Sequence, residues 1–301
     1  YEITYGDWSS DVCSSDLEER ELGRSGIAVT RVILGCGNFG GVGSSPAFFG
    51  RGTSKEDAFR LMDEAWDAGI TTFDTADAYG GGRSESFIGA WLARKAPDVR
   101  DRVVITTKTF NPMDEGLDHG LGRARVRRQL ESSLRRLGVE RVALYMAHEF
   151  DPDTPQEETL EAFADLVHGG SVGAIGASNF TAEQLAEALE LASLEGLPRY
   201  EWVQNGFSLL EQADRESVFP LCHEHGLGYT PFSPLAGGWL TGKYRRGAPH
   251  PEGCTCERAG VPARTRAPVN CCRTAREPAE KQRGSTGRRS PVLPRADPRR
   301  A

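Results

Sequence analysis

The feature that most constrains this chain is a regular alternation between two apolar patterns. Stretches with apolar residues every three or four positions, typical of amphipathic helices, alternate with short and nearly continuous apolar runs, typical of buried strands. The first run ends at Leu34 and the others cover 70–76, 103–108, 142–148, 174–179, 202–207 and 227–235, while the helical stretches cover 55–68, 84–95, 124–137, 155–167, 181–194 and 216–225. Strands that alternate in this way with helices predict a parallel sheet covered on both faces.

The spacing of these elements favours a closed barrel over an open sheet. Seven strands, with helices between them, follow one another within roughly 215 residues, and there is no break between two halves. We therefore predict an α/β fold of the (β/α)8, or TIM-barrel, type over residues 18–245, without a recognisable last β/α unit. Ser84 and Thr181 are expected to open two of the helices, and Gly138 to end a third.

A glycine motif near the start of the chain invites a different interpretation. Gly35, Gly37 and Gly40 satisfy G-x-G-x-x-G directly after a strand, as in dinucleotide-binding open sheets. That fingerprint requires a helix to begin at once and an acidic strand end about twenty residues later. Here a long loop intervenes and the twentieth residue falls inside a helix, so we expect these glycines to let the first loop pass close to the functional site instead.

The two ends of the chain have a different composition from the middle. Residues 1–17 show no periodicity, and we expect a non-native or disordered leader there. Residues 246–301 lack an apolar stripe, and from Cys254 to Ala301 twelve Lys plus Arg face four Asp plus Glu, in a chain whose net charge is −7. We expect a disordered basic tail with the composition of a frameshifted end. A basic arm for nucleic acid is the alternative, but interleaved aromatic residues are missing.

Ionisable side chains recur where the predicted strands end. Asp74 closes one strand with Tyr79 in the loop beyond it, Lys108 closes the next strand, and His148 closes the one after. Each alone has an ordinary structural explanation, such as a turn cap for the aspartate or a satisfied core position for the histidine. Because the carboxyl ends of barrel strands share one rim, where active sites are built, we expect the four side chains to converge.

This set of groups suits proton transfer to a carbonyl oxygen. Tyrosine is a weak acid at neutral pH, and the ammonium of Lys108 would favour its phenolate. A buried lysine in turn needs a carboxylate to stay charged, which suits Asp74. His148 can donate a hydrogen bond that orients the same oxygen. Nothing here is a covalent nucleophile or a metal cage, so no metal site is predicted and the reducing equivalent must come from a cofactor.

The arginine-rich helix 124–137 has its apolar residues at Val126, Leu130, Leu134 and Leu137. Its arginines fall on the other side of the helical wheel. We expect all of them to lie on the solvated outer face of the barrel.

With these residues in view, the sequence resembles the aldo-keto reductase family. The matching pieces are FDTADAYGGGRSE, VVITTK, LYMAHEFDPDTP, GAIGASNF, VQNGFSLLE and FSPLAGGWLTGKY, which lie between residues 73 and 244 in the family's order. The resemblance as a whole covers residues 20–245. The resemblance implies a carbonyl reductase in which Asp74, Tyr79, Lys108 and His148 form a catalytic tetrad and Tyr79 is the general acid.

The resemblance also implies the cofactor, NADP(H), and the residues that hold it. Ser178, Asn179 and Gln204 would bind the nicotinamide carboxamide, and Phe232 stands where the family usually places a ring that stacks on the nicotinamide. Ser233 and Leu235 match the loop around the pyrophosphate. The family's eighth unit, which holds the 2′-phosphate, is not recognisable here.

Three further expectations concern the setting of the protein. Seven cysteines are too few for a disulfide scaffold at this length, and no apolar run is long enough to span a membrane, so we expect a cytoplasmic protein. Its partner would be a small carbonyl substrate, with neither nucleic acid nor membrane. Two alternatives stay open: a redox-sensing regulatory subunit of the same fold that binds the nucleotide, and an inactive truncated product.

Overall fold

Seven parallel strands form one sheet in the order of the sequence in the computed structural model, which describes residues 17–114, 116 and 118–244. The strands are β3 (Leu34–Gly35), β4 (Thr72–Asp74), β5 (Val104–Thr109), β6 (Val142–Ala147), β7 (Val172–Ser178), β8 (Tyr200–Gly206) and β9 (Gly228–Phe232). A short antiparallel hairpin, β1 (Glu19–Glu21) and β2 (Ala28–Thr30), precedes them. The predicted parallel sheet of the barrel fold is confirmed, and no eighth strand of it lies among the described residues.

Helices follow the strands along the chain as the apolar pattern predicts. They are α1 (Lys55–Asp67), α2 (Arg83–Leu92), α3 (Pro97–Arg102), α4 (Arg123–Leu137), α5 (Gln156–His168), α6 (Ala182–Glu195) and α7 (Val218–His225). Thr181 opens α6 with a capping box, and Gly138 ends α4 in the left-handed conformation, both as predicted. None of the helices among the described residues is long and apolar enough to cross a membrane.

Both faces of the sheet are covered, and each face has its own core. Side chains alternate along a strand, so Tyr145 and Ala147 pack with the helices while Leu144 and Met146 lie on the other face. Leu22 of the hairpin joins this second cluster. Lys108 pairs in register with Met146 and therefore faces the same side, the inside of the curved sheet.

Two expectations from the sequence are corrected, and one helix was missed. Ser84 does not open its helix, because the helix begins at Arg83 after Gly82, and the Ser84 hydroxyl instead donates to the Cys36 carbonyl at 2.9 Å. Helix α3 was not predicted, since six residues are too short to show a period. Arg125 does not face solvent: its side chain is buried, and it donates to Thr109 and to loop carbonyls.

The described residues fall into two compact units, which divide between Pro234 and Leu235. The second unit contains a 3-10 turn, Ala236–Thr241, and the rings of Trp239 and Tyr244 lie 4.3 Å apart. Apart from Leu17, the predicted leader 1–17 and the predicted tail 246–301 lie outside the described residues.

Candidate active site

The predicted tetrad lies at the carboxyl ends of three consecutive strands. Asp74 is the last residue of β4, and Tyr79 begins a 3-10 turn just beyond it. Lys108 is the next-to-last residue of β5, and His148 follows β6 directly. Parallel pairing brings these ends to one rim.

Lys108 is the centre of this group. Its side chain is fully buried, and Nζ donates to Asp74 Oδ2 at 2.7 Å, to the Thr75 carbonyl at 2.8 Å and to the Tyr79 hydroxyl at 3.5 Å. The other carboxylate oxygen of Asp74 accepts from the Thr106 hydroxyl at 2.6 Å. All three ammonium hydrogens therefore have acceptors, and the carboxylate is held at both oxygens.

His148 lies against Tyr79. The two rings meet edge to face with centroids 5.4 Å apart, and the His148 side chain is buried. The loss of hydration and the nearby Lys108 ammonium lower the pKa of His148 to about 3. The imidazole is therefore neutral across the physiological range and can act as a hydrogen-bond donor rather than as a cation.

Opposing effects act on the tyrosine and the lysine. Burial raises the pKa of Tyr79, the Lys108 ammonium lowers it, and the net pKa lies above the ordinary value. Burial lowers the pKa of Lys108, but Asp74 and Tyr79 outweigh this and raise the pKa overall. The lysine thus stays charged beside a phenol that keeps its proton, as a general acid must before it reacts.

The residues predicted to hold the nicotinamide lie on the next two strand ends. Asn179, directly after β7, donates from Nδ2 to the His148 carbonyl at 2.9 Å and to Ser178 Oγ at 3.2 Å, and its backbone N–H donates to the Gln204 carbonyl at 3.2 Å. Asn179 is in the left-handed region, with φ 60°. Strained non-glycine residues of this kind concentrate at functional sites. The Gln204 side chain makes no hydrogen bond to another described residue, so its amide is free to receive a ligand.

Phe232 and Ser233 continue the rim at the end of β9. Phe232 keeps 38% of its surface exposed, and its ring lies beside Gly206, where an added Cβ would be 3.4 Å away. Ser233 also has a positive φ, 54°. Leu235 belongs to the second unit, where its carbonyl accepts hydrogen bonds from the amides of Gly238 and Leu240.

The glycine-rich first loop packs against the turn that carries Tyr79. No helix follows Gly40 at once, because α1 begins only at Lys55, so the open-sheet interpretation fails. An added Cβ at Gly37 would lie 3.6 Å from the Tyr79 ring, and one at Gly80 would lie 2.8 Å from the Phe39 carbonyl oxygen. The glycines permit this close approach, as expected for a loop beside the site.

A second buried polar group lies behind the tetrad, between β5 and helices α2 and α4, and the sequence analysis missed it. We call it the Asp77 cluster; its members are Asp77, Glu85, Thr107, Thr109, Arg125 and Arg136. Thr109 donates to Asp77 Oδ2 at 2.7 Å and Thr107 donates to Glu85 at 2.6 Å, while Arg136 donates to Glu85 at 2.7 Å. Asp77 Oδ1 is buried without a partner among the described residues.

The surroundings of Asp77 make its carboxyl group hard to ionise. Burial, and after it the charge of Glu85, raises the pKa of Asp77. The Thr109 hydroxyl, Arg125 and Arg136 offset this only in part, and the resulting pKa is about 7. The sequence did contain a signal for this cluster. Successive side chains of a strand point to opposite faces of the sheet, so Thr107 and Thr109, on either side of Lys108, must face the helices. Asp77 is within reach on that face.

The shifts of Asp77 and His148 predict opposite dependences of stability on pH. The pKa of His148 is about 3 in the folded chain and 6.5 in the unfolded chain, so the unfolded chain binds the proton first as pH falls. The contribution of His148 to the stability of the fold is therefore lost as pH falls below 6.5. Asp77, with a folded pKa of about 7 against 3.8, binds its proton more tightly when folded, so its contribution is lost as pH rises from 3.8 to 7. The Asp77→Asn variant lacks this loss. Its free energy of unfolding, relative to that of the parent, should therefore rise by about 1.4 kcal/mol for each pH unit in that window.

Urea denaturation at several pH values measures this difference. The matched control is Asp63→Asn, because Asp63 is half-buried and bonded to Trp91 and Lys95, whose hydrogen bonds outweigh burial and lower its pKa. Between about pH 5 and 7 Asp63 is ionised in both the folded and the unfolded chain. The difference in unfolding free energy between Asp63→Asn and the parent should therefore not change with pH. If the difference between Asp77→Asn and the parent is also independent of pH, the raised pKa of Asp77 in the folded chain is contradicted.

These features define a protein of the (β/α)-barrel class with a polar site at the carboxyl rim of its sheet. Comparison with known families then places it further: the family model described as "Aldo/keto reductase family" matches residues 31–288. The chain belongs to the aldo/keto reductase family.

Relatives in several organisms support this membership. An uncharacterised oxidoreductase, YrpG, of Bacillus subtilis (strain 168) is 39% identical over 236 residues, 75% of this chain and 69% of that protein. Versiconal hemiacetal acetate reductase of Aspergillus parasiticus is 32% identical over 242 residues, 74% of this chain and 69% of that protein. A putative voltage-gated potassium channel subunit beta of Schizosaccharomyces pombe (strain 972 / ATCC 24843) is 35% identical over 234 residues, 76% of this chain and 65% of that protein.

Proposed function

We propose that this chain is an NADP(H)-dependent reductase that converts an aldehyde or ketone into an alcohol, with Tyr79 as the general acid. The observation that supports this best is the direct contact of Lys108 with both Asp74 and Tyr79 inside the sheet. An ammonium held by a carboxylate and next to a phenol is an arrangement for giving up a phenolic proton.

Each member of the tetrad has a separate task in this proposal. Tyr79 donates its proton to the carbonyl oxygen as negative charge develops there. Lys108 stabilises the resulting phenolate, and Asp74 keeps the lysine charged within the sheet. Neutral His148, edge-on to Tyr79, donates a hydrogen bond to the same oxygen and orients the carbonyl. A bound nicotinamide cofactor supplies the hydride for the carbonyl carbon.

The rim beyond His148 fits the nicotinamide end of such a cofactor. We assign the carboxamide to Ser178, Asn179 and the free amide of Gln204, and the stacking surface to the exposed ring of Phe232. Ser233 and Leu235 remain proposed pyrophosphate contacts. The choice of NADP(H) over NAD(H) rests on the family resemblance alone.

The proposal also covers where the protein works and what it meets. Cys36 and Cys222 are free thiols, which is compatible with the reducing cytoplasm, where we place the protein. The partner is a small carbonyl compound. The alternative of a redox-sensing regulatory subunit is not favoured, because one of the three relatives described above is named as a channel subunit and the other two as an oxidoreductase and a reductase.

The direct test follows the loss of nicotinamide absorbance when the purified chain meets a panel of aromatic and aliphatic aldehydes. We expect multiple turnovers with NADPH and a higher kcat/KM than with NADH. Tight retention of nucleotide without turnover on any aldehyde would instead support the regulatory alternative. Absence of both binding and turnover would support an inactive product.

A further inference from the structure

Asp77 is tied to β5 on both sides of the Lys108 side chain. Its backbone N–H donates to the Lys108 carbonyl at 3.0 Å, and its carboxylate accepts from the Thr109 hydroxyl at 2.7 Å. Asp77 lies two residues before Tyr79 in the same tight loop. The two bonds therefore join the segment that carries the phenol to the strand that carries the ammonium.

The side-chain bond has one direction when the Asp77 carboxyl group is ionised. Arg125 Nη1, which can only donate, gives a hydrogen bond to the Thr109 hydroxyl at 2.9 Å. The single proton of that hydroxyl is therefore left for Asp77. Arg125 also donates to the carbonyls of Asn111 and Gly120, so the same chain of bonds extends into the loop after β5.

Burial of Asp77 is costly and therefore calls for a reason. Its neighbours Ala76 and Ala78 are fully buried, Asp77 itself is fully buried, and Oδ1 has no hydrogen-bond partner among the described residues. A small apolar residue would avoid the desolvation cost of this carboxyl group. Local costs of this kind are expected where the residue serves a functional site.

Tyr79 itself has few bonds that would fix its hydroxyl. The only hydrogen bond to that hydroxyl from another described residue is the long one from Lys108, at 3.5 Å. Its backbone N–H donates to the Ala76 carbonyl within the same loop, at 3.2 Å. The separation between phenol and ammonium therefore depends on how the loop is held. Asp77 attaches it to β5, and the Gly80 N–H attaches it to the Gly43 carbonyl of the first loop at 3.1 Å.

We propose that Asp77 is a positioning residue: through Thr109 and the Lys108 backbone it holds the Tyr79 loop on β5 and so sets the distance between the Tyr79 hydroxyl and Lys108 Nζ. This role rests on the proposed reductase function. Asp77 touches neither the carbonyl nor the cofactor, and it acts through Tyr79.

Kinetics on two pairs of variants test the role. Asp77→Ala and Thr109→Val remove the side-chain bond and leave the backbone bond from Asp77 to the Lys108 carbonyl. We expect kcat to fall by about 10- to 100-fold, as for a displaced catalytic group. The alkaline limb of the kcat profile should move to higher pH, because Lys108 acts less on Tyr79, and the KM for NADPH should be unchanged. Asp77→Asn and Thr109→Ser keep an acceptor and a hydroxyl respectively, and should rescue kcat. Asp63→Ala, remote from the site, is the control and should match the parent.

A purely structural role gives a different result. Asp77→Ala would then show a lower melting temperature but the parent's kcat and pH profile, and the proposal would be overturned. Failure of Asp77→Asn and Thr109→Ser to rescue kcat would overturn it too.

Hydrogen exchange separates this inference from the proposed function. Amides 76–80 should exchange faster in Asp77→Ala and Thr109→Val than in the parent, and at the parent's rate in Asp77→Asn and Thr109→Ser. If the parent itself reduces no aldehyde, the reductase function fails, and this exchange pattern alone decides whether Asp77 holds the loop. Equal exchange in all variants would overturn the role of Asp77 whether or not the parent is active.

Discussion

Replacing Tyr79 with phenylalanine is expected to lower kcat for aldehyde reduction by about 10²- to 10⁴-fold while cofactor binding survives. The variant removes only the hydroxyl, whose one hydrogen bond from another described residue is the long one from Lys108, at 3.5 Å. The ring would keep its packing against His148 and the first loop. The loss should therefore fall on proton donation and not on the fold or the affinity for NADPH.

The measurement pairs steady-state reduction with a binding titration of NADPH on the same preparation. Tyr200→Phe is the matched control, because Tyr200 begins β8 at the opposite end of the sheet from the rim, and its hydroxyl makes no hydrogen bond to another described residue. We expect that variant to keep the parent's kcat. Full turnover by Tyr79→Phe would show that another group donates the proton.

The positions of the tetrad followed from the sequence because they depend only on the order of elements. A parallel sheet built in chain order places every strand's carboxyl end on one rim, so Asp74, Lys108 and His148 had to share it once the alternation was recognised. Tyr79 follows Asp74 by five residues, a separation that a short turn can span. The contact from Lys108 to Asp74 and Tyr79 is the outcome of that topology.

The Asp77 cluster could not be predicted in the same way, because it depends on which side chains meet across elements. The helical wheel placed Arg125 with the other arginines on a polar face, yet the loop after β5 closes over it and supplies acceptors. Ser84 was expected to cap a helix, but a preceding left-handed glycine already begins that helix. Local propensity favours such roles, and tertiary contacts override it.

Removing either partner of the Lys108–Asp74 pair is expected to destabilise the fold by about 3–5 kcal/mol as well as to stop turnover. In Lys108→Met the Asp74 carboxylate would keep, among the described residues, only the Thr106 hydroxyl as a hydrogen-bond partner. In Asp74→Leu the ammonium would keep the Thr75 carbonyl and the distant phenol. Each single variant thus leaves an uncompensated charge in the interior, and urea denaturation measures the cost.

The double variant Asp74→Leu/Lys108→Met separates stability from function. With both charges gone, two apolar side chains can pack beside Met146 on the inner face, and most of the lost stability should return. Activity should not return, because Tyr79 no longer has an ammonium to stabilise its phenolate. We expect kcat of the double variant to be as low as that of Lys108→Met, and a double-mutant cycle on the unfolding free energies gives the coupling.

The exposed pair Arg127–Glu131, one helical turn apart on α4, is the matched control for this cycle. Screening by water limits such a pair to at most about 1 kcal/mol, so its single and double variants should change neither stability nor kcat by much. If the Asp74–Lys108 double variant stays as unstable as the single ones, the pair is retained for the fold. If its stability returns while turnover does not, the buried charge is retained for proton transfer, since an apolar pair would serve the sheet equally well.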